Sequence, residues 1–237
     1  MTNDDRVAII TGASQGIGEA LVAAYRKSGH AVVANSRRIE QGEDPLVLAV
    51  AADVGQTGAG RQIVDAAIER FGRVDAVVNN AGIFVPKPFT EYTDGDYDAV
   101  TGVNLRGFFE VSRAAIAAML TRDGGGHLVN ISTSLVDQPN SQVPSVLASL
   151  TKGGLNAATR ALAIEYAARG IRVNAVALGN IPTPMHDASS LDFLAKMHPL
   201  GRLGEIDDVV DAVLYLEHSS FITGEILHVD GGQSAGH

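Results

Sequence analysis

Val7-Ala8-Ile9-Ile10-Thr11-Gly12-Ala13-Ser14-Gln15-Gly16-Ile17-Gly18 carries an apolar run straight into a glycine-rich turn. Four consecutive aliphatic residues suit a buried strand, and over 18–28 the apolar residues fall at helical spacing. A strand that breaks at Gly12 and restarts as a helix near Gly18 is an arrangement for holding phosphate. The glycines permit a tight turn and close approach of a pyrophosphate, whose charge meets backbone N–H groups and the positive end of the helix. Gly12, Ser14, Gln15, Gly16, Ile17 and Gly18 are therefore the candidate phosphate-binding residues. Their spacing, TGxxxGxG, differs from the commoner GxGxxG.

The same alternation repeats along the chain. Val-, Ile- and Ala-rich runs stand at 31–34, 46–50, 74–78, 127–131, 171–177 and 226–229, and helical spacing covers 18–28, 60–71, 103–120, 149–168 and 205–218. Near-continuous apolar strands separated by helices predict a parallel sheet, covered on both faces and joined by right-handed crossovers. The expected fold class is α/β: a single doubly wound Rossmann domain over 1–237 with a seven-stranded parallel sheet.

Composition bounds the function. With 46% hydrophobic and 19% charged residues in 237, the chain can bury a sizeable core. Lys plus Arg total 18 against 27 for Asp plus Glu, a formal charge of −9, which attracts neither nucleic acid nor an anionic membrane. Zero cysteines remove disulfides, thiolate nucleophiles and Cys-based metal sites. Residues 1–6 lack the features of a signal peptide, and no apolar run approaches the ~18 residues of a membrane span. A soluble, cytoplasmic protein acting on a small molecule is expected, with no nucleic acid, membrane or metal partner.

The second strand ends Ala34-Asn35-Ser36-Arg37-Arg38, without the carboxylate that accepts hydrogen bonds from an adenosine ribose. Arg37 supplies a charge-assisted fork for a 2′-phosphate and Ser36 a second donor. NADP(H) is the expected cofactor, and NAD(H) stays open.

Further motifs follow in order: Asn79-Asn80-Ala81-Gly82, Asn104-Leu105-Arg106-Gly107, Thr151-Lys152-Gly153-Gly154, Gly201-Arg202-Leu203-Gly204-Glu205, Ile222-Thr223-Gly224-Glu225 and Val229-Asp230-Gly231-Gly232. With the opening turn, they make the chain resemble the short-chain dehydrogenase/reductase family from Val7 to Gly232. The resemblance implies that Asp53 and Val54 lie beside the adenine, although Asp53 is equally a turn residue. It places Asn80, Ala81 and Gly82 along the cofactor. It gives Lys152 the ribose hydroxyls and the proton path, and Asn104 that lysine's water. In Asn130-Ile131-Ser132-Thr133-Ser134 the substrate-binding serine of the family falls on Thr133, with Ser134 as the alternative. The stretch Ala177-Leu178-Gly179-Asn180-Ile181-Pro182-Thr183-Pro184-Met185 is similar to the family's PGxxxTPM, with Leu178 in place of its first proline. The likeness sets Gly179, Ile181 and Thr183 at the nicotinamide, and it implies a homotetramer or dimer built on the helices over 111–120 and 155–168 and on the C-terminal strand with its Val229-Asp230-Gly231-Gly232 end.

One family residue is absent. The family uses a Tyr-x-x-x-Lys pair, and a spacing of four puts both side chains on one helical face, where the ammonium lowers the phenol pKa. Four residues before Lys152 stands Ala148, and Tyr97 and Tyr166 lie in unrelated segments. A methyl group donates no proton. Two readings follow: hydride transfer to or from a carbonyl or alcohol, with the proton moving by a Lys152 and water route aided by Ser149 or Ser145, or an NADP-binding regulatory or assembly subunit without turnover.

A substrate lid is expected over about 182–204, carrying Phe193 and Met197. His186 and His198, twelve apart and without further ligand spacing, read as lid or surface histidines. An extended epimerase needs a larger C-terminal domain, and a methyltransferase has no use for Lys152 and Asn104.

Overall fold

Seven strands form one sheet in the order β3-β2-β1-β4-β5-β6-β7, and every neighbouring pair is parallel. They are β1 (Val7–Thr11), β2 (Ala31–Ser36), β3 (Val47–Ala51), β4 (Ala76–Asn79), β5 (Gly126–Thr133), β6 (Ile171–Leu178) and β7 (Ile226–Val229). The computed structural model describes residues 6–183 and 191–236. The helices are α1 (Gly16–Lys27), α2 (Ala59–Phe71), α3 (Asp94–Thr101), α4 (Gly107–Met119), α5 (Val146–Tyr166), α6 (Leu191–Ala195) and α7 (Ile206–His218).

The strands are apolar throughout because both faces are covered. Along β1, Val7 and Ile9 pack with Ile63, Val111 and Ala163 of α2, α4 and α5. Ala8 and Ile10 face the other way, onto Leu21 and Tyr25 of α1 and Val213 of α7. Each fully buried Ile or Leu contributes roughly 1.5–3 kcal/mol. Helices α2 and α4 meet at backbone contact, since a Cβ on Gly60 would stand 2.1 Å from Glu110 O.

The stretch 103–120, expected as one helix, divides. A π-turn over Gly102–Arg106 joins the separate helix α3 to α4. Thr93 caps α3, its Oγ1 accepting from Asp96 N while the Asp96 carboxylate accepts from Thr93 N. This reciprocal cap fixes a helix start at 94 that apolar periodicity alone does not reveal. The π-turn carries Asn104, and such single wide turns occur often at functional sites.

Charge is buried at the foot of the sheet, where the strands begin. Glu217, near the end of α7, accepts from Tyr25 Oη at 3.2 Å and faces His127 Nδ1 at 2.8 Å. His30 Nε2 and Arg6 Nη1 lie 3.9 and 3.8 Å from its other oxygen. Burial pushes the Glu217 carboxyl up, but the hydrogen bond and charge from His127, with His30 and Arg172, hold it below its ordinary value. Burial lowers His127 and His30 despite the carboxylate beside them.

The sheet order turns back between β1 and β4. Crossovers leave in opposite directions there and open a crevice above the strand ends, the usual ligand position in such sheets.

Candidate functional site

The crevice is a cleft of about 1000 Å³. Its wall collects the glycine turn, Ser36, Arg37, Asp53, Val54, residues 80–82, Asn104, Thr133, Ser134, Ala148, Lys152, Gly179, Ile181 and Thr183. Apart from the two helper serines, Ser145 and Ser149, the residues singled out from sequence as candidate cofactor or catalytic groups thus share one surface.

At one end, Gly12 and Gly16 take φ of +67° and +59°, backbone that residues with a Cβ avoid. A Cβ on Gly18 would lie 2.2 Å from Gly12 O, so α1 starts hard against the turn. No side chain caps this helix start, where Gln15 is the N-cap, and the first amides face the cleft without a side-chain acceptor. The loop after β4 is stitched to the turn. Thr11 Oγ1 accepts from Asn80 N and Ala81 N at 3.1 and 3.0 Å, and Asn80 Nδ2 donates to Thr11 O at 2.9 Å and Gly12 O at 3.2 Å. The Asn80 side chain shapes the glycine turn.

Beyond β2, Arg37 and Arg38 are exposed and Ser36 is half-buried. Among the described residues the buried Ser36 Oγ has no hydrogen-bond partner. A buried hydroxyl without a partner, followed in sequence by two exposed arginines, fits the polar ribose end of a dinucleotide. Asp53 Oδ1 accepts from Gly55 N at 2.9 Å, so Asp53 holds its own turn while lining the cleft.

At the inner end, α5 begins at Val146 and sets Ala148 and Lys152 one turn apart on its cleft side. Lys152 Nζ donates to Ile131 O at 2.7 Å, and burial brings the ammonium down to about 8. Gly82 leaves room for it, because a Cβ there would come 3.2 Å from Nζ and 3.5 Å from Asn104 Oδ1. Asn104 Oδ1 accepts from Ile83 N at 2.9 Å, and Nδ2 donates to Ile83 O at 3.1 Å and Thr151 Oγ1 at 3.2 Å. Its side chain clamps the 80–83 loop to α5.

The two candidate hydroxyls separate. Ser134 is buried and donates to Leu178 O at 3.1 Å and Gln233 Oε1 at 3.2 Å. Thr133 is half-exposed, and its Oγ1 accepts only a long 3.3 Å bond from Leu135 N. The helper serines lie off the cleft wall: Ser149 Oγ donates to Leu135 O at 3.3 Å, and neither Ser149 nor Ser145 lines the cleft. None of the five tyrosines does either. Among the described lining residues Lys152 is the one ionisable side chain at this end, the others being Arg37, Arg38 and Asp53 at the far end.

His198 is buried rather than on the surface. Its Nε2 accepts from Asn180 N at 3.0 Å, which puts the proton on Nδ1, and burial lowers its pKa. The ring lies so close to Gly179 that a Cβ there would stand 2.6 Å from Nε2. It ties the segment after α6 to the ends of β6 and β7. Phe193 and Met197 line the cleft, while Pro184, Met185 and His186 lie outside the described residues. Gln142 and Gln233 also line it. Gln233 meets Ser134 across 99 positions, so no local pattern announces it. Among the described residues no group of three or more His, Asp or Glu could hold a metal ion.

A family profile described as Enoyl-(Acyl carrier protein) reductase matches residues 12–234. The chain is 37% identical to L-xylulose reductase of Bos taurus, covering 96% of each. It superposes with a TM-score of 0.88 and 32% identity on 3-ketoacyl-(acyl-carrier-protein) reductase from Brucella melitensis complexed with NADH, covering 98% of this chain and 100% of that one. Against gluconate 5-dehydrogenase from Burkholderia cenocepacia in complex with NADP and tartrate, the TM-score is 0.89 at 31% identity, over 99% and 97% of the two chains. A seven-stranded parallel sheet, a crevice at its turning point and likeness over nearly the full length lead to one conclusion: the chain belongs to the short-chain dehydrogenase/reductase family, oxidoreductases built to hold a nicotinamide cofactor.

Proposed function

We propose that the protein is an NADP(H)-preferring oxidoreductase that moves a hydride to or from a small carbonyl or alcohol substrate, its proton travelling by Lys152 and water. The observation that carries this is the cleft itself, with an uncapped helix start in a glycine turn at one end and, at the other, the half-buried Lys152 ammonium as the one ionisable group among the described lining residues there. The glycine turn and the first turn of α1 hold the pyrophosphate. Ser36 and Arg37 hold the 2′-phosphate, Asp53 and Val54 the adenine, residues 80–82 and Lys152 the inner ribose, and Gly179, Ile181 and Thr183 the nicotinamide. The bound nicotinamide supplies or accepts the hydride. Thr133 orients the substrate oxygen, and Lys152 feeds protons to it across the space that Ala148 leaves.

Calorimetric titration with NADPH and NADH tests the cofactor half. Arg37→Ala is expected to weaken NADPH binding about 10–100-fold, the worth of one charge-assisted hydrogen bond of ~1.5–3 kcal/mol, and to leave NADH binding unchanged. Equal losses for both would count against NADP preference. Tight NADPH binding without oxidation of NADPH by any small aldehyde, ketone or imine would favour the non-catalytic subunit reading.

We also infer that the working form is a cytoplasmic homo-oligomer, a tetramer or dimer. Phe109 on α4 and Leu150 and Ile164 on α5 are exposed, Ile164 by 80%, more apolar surface than one subunit needs. Ile164→Glu is expected to lower the sedimentation coefficient toward that of a monomer, whereas a monomeric parent protein would remove this part. Among the described residues no helix is long and apolar enough to cross a membrane.

A further inference from the structure

The inner cleft brings aliphatic side chains and one ammonium to a common wall. Ala148 and Lys152 face it from the first two turns of α5. Leu135, from the turn after β5, and Val143 and Pro144, which lead into α5, line the same cleft as the buried Ala148. Ser149 Oγ holds Leu135 O at 3.3 Å, fixing that wall to the helix. Lys152 Nζ, kept in place by Ile131 O at 2.7 Å, supplies the cation, and no described carboxylate, histidine or tyrosine lies on this part of the wall. An aliphatic slot ending at an ammonium matches a flat ring carrying an ionisable hydroxyl: the ring is buried against the aliphatic side chains, and the oxygen meets the charge.

We propose that the slot beside Ala148 and Lys152 is a subsite for a hydroxyaryl group, and that the substrates are hydroxyaryl aldehydes and ketones whose own O–H serves as proton donor. The inference rests on the hydride-transfer function proposed above, with reduced nicotinamide as the reductant. As the carbonyl oxygen gains electron density, the aryl O–H breaks and its proton forms the new alcohol O–H, leaving an aryloxide. A Lys152 N–H then breaks to reprotonate the aryloxide, and the neutral amine takes a proton from water. An aryl hydroxyl titrates near ~10 and Lys152 at about 8, so the proton runs downhill from ammonium to aryloxide.

Two measurements test this. The first, without cofactor, uses 4-nitrophenol, whose phenolate is coloured. The protein is expected to bind it saturably and shift its ionisation to lower pH. Lys152→Met should abolish the shift, and Ala148→Phe should weaken binding at least ~10-fold while sparing NADPH binding. Equal binding to Ala148→Phe, or equal affinity for benzoate, overturns the subsite. The second compares 2-hydroxyacetophenone with 2-methoxyacetophenone as substrates for NADPH oxidation. At least a ~10-fold preference for the hydroxy compound is expected, and Ala148→Tyr, which fills the slot with a phenol, should erase it. Equal rates, or turnover of neither by protein that binds NADPH, overturn the substrate class. Failure to bind NADPH would sink the cofactor function alone, because the 4-nitrophenol result stands without it.

Discussion

Lys152→Met is expected to slow carbonyl reduction by about 10²–10⁴-fold, the usual contribution of a positioned acid, while raising the melting temperature at neutral pH. Both effects come from one property. Burial brings the ammonium down to about 8 from 10.5, so the fold bears the cost of a desolvated charge that methionine removes. The protonated form is the donor, so the reduction rate of the parent protein should fall as pH rises through about 8. The oxidation direction should rise over the same interval. In the methionine variant both inflections should vanish. The unfolded chain binds the extra proton between about 8 and 10.5, so folding stability should climb with pH in that window for the parent and stay flat for the variant. Steady-state kinetics across pH and calorimetric melting check the two halves separately. An unchanged rate profile would show that the proton comes from elsewhere.

Glu217→Ala is expected to cost about 3–5 kcal/mol of folding stability, measured by urea unfolding, because it strands the groups gathered around a buried carboxylate. Tyr25 Oη and His127 Nδ1 lose their acceptor, and Arg172, which donates to the carbonyls of Leu216, Glu217 and Ile222, loses its counter-charge. Glu217→Gln keeps an oxygen acceptor, and its cost should be nearer ~1.5–3 kcal/mol. The pH dependence has a definite sign. His30 and His127 have folded values below 6.5, so the unfolded chain binds more protons there. Their contribution is complete above 6.5 and is lost as pH falls below it. Glu217, also held below its ordinary value, gives way on the same side. Acid should therefore unfold the parent, and the glutamine variant should respond less steeply. A loss under ~1 kcal/mol for Glu217→Ala would mean that water takes over from the carboxylate.

The seven strands were legible because each is a short apolar run that burial on both faces demands, and β7 was read to the residue at Ile226–Val229. Positions on the cleft wall were legible where a motif is local, as in Thr11 to Gly18 or Ala148 to Lys152. Contacts that join distant positions were not. The cap that starts α3 was written in Thr93 and Asp96 but hidden by weak apolar periodicity. Nothing near His198 signals its burial, which depends on Gly179 and Gly231 making room for its ring. Glu217 looks like a solvent-facing charge late in a helix, and only Tyr25, His127 and Arg172, brought from three other elements, reveal otherwise.

Strand β5 has His127 near its start and Thr133 at its end, about 20 Å apart at ~3.3 Å per residue. The ionic knot that fastens the scaffold and the pocket that handles the reacting atoms thus sit on opposite rims of one rigid plate. Alterations that far apart add without interfering. A lineage can discard an aromatic acid at one rim without loosening the other, and an engineer can restore it with the same freedom.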